Sequence, residues 1–252
     1  MSHREIGDKA ERIGYRRLYE SLYNVNPEKV PWGYHTPDSD LIYIIERLNV
    51  PPGLKVLDGG CGNGKNSDYL FKKGFEIHGF DISAKAVATA KKKIPSGHFL
   101  VADAKNLPYI DGYFDIVVDV GLLHCLPPEE WEPFKREVFR ILKTKGYYFL
   151  REYHRPSDCP PEKPLLYENT DQSGRTFFRR DSMREQIPVW SFTIAQIRDL
   201  FREYRIRAEF YGPNRLMVLI SKEEKEAEIA SRNRRTGWNI LSRNEKGERG
   251  MN

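Results

Sequence analysis

Residues 55–66 read Lys55-Val-Leu-Asp-Gly-Gly-Cys-Gly-Asn-Gly-Lys-Asn66. Two apolar residues, Val56 and Leu57, lead into an acid, Asp58, and glycines follow at 59, 60, 62 and 64. A helical pattern then runs through Tyr69, Leu70 and Phe71. This order predicts a buried strand, a tight turn that only glycine takes at several φ values, and a helix with an open N-terminus. Backbone N–H groups at such a terminus face a ligand at close range. The spacing is Asp-x-Gly-x-Gly-x-Gly, through Asp58, Gly60, Gly62 and Gly64. It differs from the Gly-x-Gly-x-x-Gly of dinucleotide-binding turns, and Asn66 after Lys65 breaks the Gly-Lys-Ser/Thr ending of a P-loop.

Downstream, strand and helix patterns alternate. Residues 75–81 predict a second strand ending in Asp81, and Ser83 caps a helix from Ala84 to about Lys92. A third strand is predicted over 97–103, ending in Asp103, and a fourth over 112–119. Pro127 begins a helix with apolar Trp131, Phe134, Val138, Ile141 and Leu142, and 145–150 predicts a fifth strand. Such alternation calls for right-handed crossovers and a parallel sheet covered on both faces. In an open α/β sheet, ligands lie outside the carboxyl ends of the strands, where strand order reverses. Asp58, Asp81 and Asp103 all fall on that edge, which is expected to be solvent-reachable. Any one of them alone reads as a turn or helix cap. Three in succession favour a binding site.

These segments resemble motifs of the class I S-adenosylmethionine (SAM) dependent methyltransferases. Residues 55–66 are similar to motif I and Gly-Phe-Asp-Ile-Ser (79–83) to motif II. Ala-Asp-Ala-Lys-Asn-Leu-Pro (102–108) is similar to motif III, and residues 114–128 to motif IV with its following loop. Residues 142–148 resemble the run before strand five, with Lys145 where a proline often stands. The resemblance spans residues 54 to about 153. It implies a Rossmann-like α/β fold, a seven-stranded mainly parallel sheet of order 3-2-1-4-5-7-6 with helices on both faces. It also implies SAM as cofactor and S-adenosylhomocysteine as product. Asp58, Gly60, Cys61, Gly62, Asn63 and Gly64 would line the cofactor from the turn. Asp81 would hold the ribose, Asp103 and Ala104 the adenine, and Ile82 and Val120 would be further cofactor-binding residues. The residue types fit: a vicinal diol wants a bidentate carboxylate, and an exocyclic amine wants an acceptor.

The bulk composition is compatible with this reading. At 252 residues the chain holds one α/β domain with additions. Charged residues reach 31%, above the typical value of about 25%, which suggests surface ion-pair networks. A net charge of +5 is mild, more a solvated mixed-charge surface than a dedicated nucleic-acid binder. Cys61, Cys125 and Cys159 are odd in number and widely spaced, so neither a disulfide framework nor a metal site is indicated. No apolar signal core or membrane-length segment occurs, and a cytoplasmic location is expected.

The expected organisation has three parts. Residues 1–53 carry an amphipathic helix over about 4–24 and a loop, Val30-Pro-Trp-Gly-Tyr-His-Thr-Pro-Asp38, which leads into a helix capped by Asp38 or Ser39. Residues 54–221 form the SAM-binding domain. Within it, 153–190 is a proline-rich, lid-like connection without clear periodicity. Thr193 caps a further helix, and strands at 205–211 and 215–220 make a closing hairpin. Residues 222–252 are a charged extension, expected as an exposed helix and a tail.

Methyl transfer is an in-line displacement, in which the enzyme aligns the partners and sometimes removes a proton. His124 is the candidate base, although a histidine in this loop often only shapes the pocket. Cys125 lacks a Pro-Cys nucleophile pattern and reads as a small core residue. Trp32, Tyr34, Tyr153 and Trp190 are the rings available to roof the methyl and select the acceptor. The Asp119-Val-Gly-Leu run is not the Asn/Asp-Pro-Pro-Tyr/Phe tetrad of amino-group methylases. Val120-Gly121-Leu122 also argues against an aminopropyl transferase, which has an acid-rich amine site there. All three cofactor acids are present, which argues against a non-catalytic adaptor. Pro31-Trp32-Gly33 and Leu123-His-Cys-Leu-Pro-Pro-Glu129 loosely resemble the small-molecule branch that includes thiopurine- and thiol-methylating enzymes. The expected partner is thus a small-molecule acceptor, with RNA or protein as the alternative.

Overall fold

The computed structural model describes residues 17, 19, 20, 23, 36–154, 169–170, 175–179, 186–212 and 215–224. Helix α1 (Ser39–Arg47) opens the continuous part, and its N-cap Asp38 accepts from the N–H groups of Asp40 and Leu41. Strand β1 (Lys55–Gly59), α2 (Lys65–Lys72), β2 (Glu76–Asp81), α3 (Ala84–Lys93), β3 (His98–Val101) and β4 (Phe114–Val120) follow. A 3₁₀ turn at Leu123–Cys125 leads into α4 (Pro128–Ile141) and β5 (Leu142–Tyr153). After β6 (Asn169–Thr170), β7 (Arg175–Arg179) and β8 (Gln186–Trp190), the chain closes with α5 (Ile194–Leu200), β9 (Tyr204–Tyr211) and β10 (Arg215–Glu224).

The main sheet has the order β3-β2-β1-β4-β5-β10-β9. Numbering only its own strands gives 3-2-1-4-5-7-6, as the motifs imply. The first five strands run parallel, and β10 is antiparallel to both β5 and β9. Neighbouring residues of a strand serve opposite faces. Leu57, Tyr148 and Leu150 enter one core cluster with α4 and α5 residues. Val56 and Phe149 enter the other, with Leu41, Leu70 and Val87 from α1, α2 and α3. A sheet buried on both faces explains the near-continuous apolar runs of β1 and β4. Each fully buried Leu or Phe contributes about 1.5–3 kcal/mol.

Several expectations need correction. The connection over 153–190 contains a three-stranded antiparallel sheet of order β6-β7-β8. Pro188 pairs with Phe177 on the edge strand β8, and an edge strand tolerates the missing N–H that masked its periodicity. Lys145 has φ of +67°, which a proline ring cannot adopt, so it does not occupy a proline position. Here the β4–β5 register shifts, and the strand begins at Leu142 rather than Lys145. Strand β3 stops at Val101, two residues before Asp103. The stretch from Lys222, expected as helix, continues β10 to Glu224; Lys222 Nζ donates to Leu142 O at 2.7 Å and Arg207 pairs with Glu223. Of the N-terminal segment, Arg17, Tyr19, Glu20 and Tyr23 are helical. Residues 225–252 lie outside the described residues.

Candidate functional site

The glycine turn takes the predicted backbone. Gly60, Gly62 and Gly64 have φ of +63°, +54° and +75°, values that disfavour any side chain. Gly64 is the N-cap of α2 and supplies no side-chain bond, but Asn63 Oδ1 accepts from Lys65 N–H at 3.2 Å, so the first N–H of the helix is not bare, contrary to expectation. Asp58 and Asp81 flank the turn, and both are buried rather than solvent-reachable. Asp58 accepts from the Ser67 hydroxyl at 2.5 Å, tying β1 to α2. Asp81 Oδ2 accepts from Gly62 N–H at 3.0 Å, and Oδ1 from Ser83 N–H at 2.9 Å. A carboxylate has about four acceptor sites, so Asp81 keeps acceptor capacity beyond these bonds. Burial raises both carboxyls, each to about 6, against the bonds they accept.

The remaining predicted residues divide. Cys61 and Asn63 are buried in the turn and Ala104 is buried after Asp103, while Ile82 and Val120 are half-buried. Asp103 sits exposed in a short turn, its carboxylate accepting from Lys105 N–H at 2.9 Å and lying 3.5 Å from Lys105 Nζ. Tyr153 stacks at a tilt on His124, with centroids 4.7 Å apart. Trp190 does not roof this edge. It is buried in the core, 5.7 Å edge-on from Trp131. Strand β8 does pack against the turn that carries His124. Trp32 and Tyr34 lie outside the described residues. Cys125 is half-buried, not core, with Sγ at 3.3 Å from Gly121 O.

Other residues belong to this edge without having been singled out. The Tyr23 hydroxyl would lie 2.7 Å from a Cβ on Gly62, so this tyrosine covers the turn. Glu20 accepts from Ala84 N–H at 3.2 Å, beside Asp81. Asp119, fully buried at the end of β4, accepts from Leu122 N–H (2.6 Å), Leu123 N–H (3.2 Å) and the Tyr148 hydroxyl (2.8 Å). Glu152, fully buried at the end of β5, meets His124 Nδ1 at 2.5 Å and His124 N at 3.4 Å. Burial raises Asp119 and Glu152 alike, each to about 8. Strand-end position alone would have flagged both acids. Their pairing partners are remote in sequence. Among the described residues, no helix is long and apolar enough to cross a membrane.

Residues 57–150 match the family model described as "Methyltransferase domain". The chain is 37% identical over 114 residues to an uncharacterized methyltransferase of Synechocystis sp., covering 45% of this chain and 54% of that protein. It thus spans about half of that relative's length. A 32% match over 102 residues to an uncharacterized methyltransferase of Schizosaccharomyces pombe covers 39% of this chain and 70% of that one. The 2-heptyl-1-hydroxyquinolin-4(1H)-one methyltransferase of Mycobacteroides abscessus is 28% identical over 155 residues, 58% of this chain and 67% of that protein. Among solved structures, the fold is shared with a Methanosarcina mazei SAM-dependent methyltransferase (TM-score 0.60, 23% identity, covering 72% of this chain and 98% of that one). It is shared too with a Burkholderia thailandensis 1,6-didemethyltoxoflavin-N1-methyltransferase holding its substrate and S-adenosylhomocysteine (TM-score 0.62, 15% identity, covering 86% and 90%). The matched stretch coincides with the strands and turns that build the acid-lined edge, and the chain belongs to the S-adenosylmethionine-dependent methyltransferases, with SAM as its cofactor.

Proposed function

We propose that this chain methylates a small molecule, holding SAM across the glycine turn and the ends of β1, β2 and β3. The observation that carries the reading is Asp81. Its two oxygens are held by Gly62 and Ser83, and the carboxylate keeps acceptor capacity for a ribose diol. The positive-φ glycines let backbone approach the ligand, with Cys61 and Asn63 alongside. Ile82, Ala104 and Val120 supply apolar walls, and Asp103 supplies an acceptor for the adenine amino group. When bound, SAM supplies an electrophilic methyl on a sulfonium. The protein's task is then alignment and exclusion of water.

The acceptor meets the loop after β4 beside Tyr153. A small acceptor is supported by the M. abscessus relative, named for a hydroxyquinolone, and by the 1,6-didemethyltoxoflavin-N1-methyltransferase of the same fold. Calorimetry with S-adenosylhomocysteine tests the cofactor site. Label transfer from methyl-labelled SAM to phenols, thiols, amines and RNA tests the acceptor class. Label that accumulates in RNA and is released by nuclease would replace the small-molecule reading.

A further inference from the structure

Two buried acids lie under the loop after β4, and the cofactor needs neither. They are used differently. Asp119 commits its oxygens to Leu122, Leu123 and Tyr148, and so anchors the turn. Glu152 turns both oxygens to His124, Oε1 to the backbone N–H and Oε2 to ring Nδ1. A carboxylate at one imidazole nitrogen makes that nitrogen the proton carrier and leaves the other as the base. His124 Nε2 has no hydrogen bond to any described residue.

The ring is also well placed. A Cβ on Gly121, the first residue past β4, would lie 2.6 Å from His124 Cε1 and 3.4 Å from Nε2. The Cε1–Nε2 edge therefore rests on the end of β4. The same loop touches the glycine turn, since Leu122 side-chain atoms would lie 3.2–3.3 Å from a Cβ on Gly60 or Gly59. Gly59 and Asp119 are register partners of β1 and β4. The imidazole thus borders the junction of the cofactor turn and the acceptor loop.

We propose that His124 and Glu152 form a proton-accepting dyad for a hydroxyl-bearing acceptor, phenolic or enolic. The proposal rests on the methyl-transfer reading above. His124 is the catalytic residue and Glu152 its positioning residue. The acceptor oxygen forms its bond to the transferred methyl carbon as the methyl–sulfur bond breaks with its electrons to sulfur. The hydroxyl proton passes to Nε2, and Glu152 balances the imidazolium. A phenol, ionising near 10, needs this help at about pH 8–9, where Glu152 is ionised, whereas a thiol ionising near 8.5 needs less. The groups facing the ring are Glu152 and Tyr153 from β5 and Asp119 from β4. Arg151 acts on Glu152, and Tyr148 on Asp119. From β8, Val189 and Trp190 add no charge. Burial holds Glu152 in its acid form up to about pH 8. In that form Glu152 donates to Nδ1 and Nε2 carries the proton, so turnover should rise with pH as the carboxyl ionises.

The test uses the full chain loaded with S-adenosylhomocysteine. Nitrogen-15 spectra of the imidazoles, assigned with His124→Gln, should show a protonated Nδ1 and a bare Nε2 at pH 9. In Glu152→Gln the Nε2–H tautomer should gain population. With labelled SAM and a series from 4-nitrophenol to phenol, the loss in Glu152→Gln should grow with acceptor pKa, reaching about a hundredfold for phenol. The rise of kcat with pH should disappear in that variant. A protonated Nε2 at pH 9, an unchanged tautomer in Glu152→Gln, a loss independent of acceptor acidity, or a wild-type chain that methylates no phenol would each overturn the dyad. Failure of the wild-type chain to bind S-adenosylhomocysteine would instead overturn the methyl-transfer reading beneath it.

Discussion

Replacing Asp81 by Ala separates ligand binding from folding. On the ligand side, the variant removes two charge-assisted hydrogen bonds, costing about 2–4 kcal/mol, or roughly 30- to 1,000-fold in affinity. On the folding side, two effects oppose one another. The N–H groups of Gly62 and Ser83 lose their acceptor, at about 1–3 kcal/mol each. A buried carboxylate also disappears. Its value is raised from 3.8 to about 6, so the folded chain binds the proton more tightly than the unfolded one. The cost of burying the charge is therefore absent below about pH 4 and fully expressed above about pH 6, where about two pH units correspond to about 3 kcal/mol. At pH 7.5 the net loss of stability should be small, between about 0 and 3 kcal/mol. Ionisation of Asp81 also dictates a pH dependence of binding. The carboxylate is about nine-tenths ionised at pH 7 and one-tenth at pH 5, so wild-type affinity should fall about tenfold over that interval. Calorimetry with S-adenosylhomocysteine at pH 5, 6 and 7.5, alongside urea melts, measures both sides. A folded variant that binds within threefold of wild type, or that keeps the wild-type pH slope, would refute the assignment of Asp81 to the ribose.

Gly62→Val should abolish S-adenosylhomocysteine binding, because φ is +54° and the new side chain meets Tyr23; tight binding by a variant with native circular dichroism would make the turn purely structural. Asp119→Asn leaves one oxygen for three donors and should cost about 2–4 kcal/mol in urea unfolding, with a change under 0.5 kcal/mol counting against the anchoring role. Lys135, buried with Nζ at 2.9 Å from Glu132, Glu203 and Leu200 O, joins α4 to the end of α5; Lys135→Ala should cost about 1–3 kcal/mol, less than a fully buried pair because both acids are exposed. Tyr153→Ala should raise the acceptor KM while leaving S-adenosylhomocysteine affinity within threefold, as calorimetry and label transfer would show.

The core of the fold was legible because its signals are local. A buried parallel strand is an apolar run, a positive-φ turn needs glycine, and a capped helix carries its Ser or Thr beside it. Thr193 and Gln196, which form a reciprocal capping box at the start of α5, are such a case. The β6-β7-β8 sheet was hidden because edge strands tolerate proline and charge, leaving little periodicity to read. Trp190 was misplaced for a related reason. Aromatic residues near a loop suit a roof and a core equally well, and packing against Trp131 decided for the core.

By itself, the sequence determined the alternation of strands and helices, the glycine turn, the acids at the ends of β1 and β2, and His124 as a proton-transfer candidate. Each follows from residue type and short-range spacing, while the order of strands in the sheet came from the family resemblance. Only the tertiary structure decided how those acids are used. Asp81 gains its donors from Gly62, nineteen positions away, and from Ser83. Glu152 stands 28 positions from His124, and no spacing rule links them. They meet because β4 and β5 are parallel neighbours, so residues a crossover apart reach the same edge of the sheet. A hydrogen bond of this kind depends on strand pairing and register, which are properties of the folded chain and of no single segment.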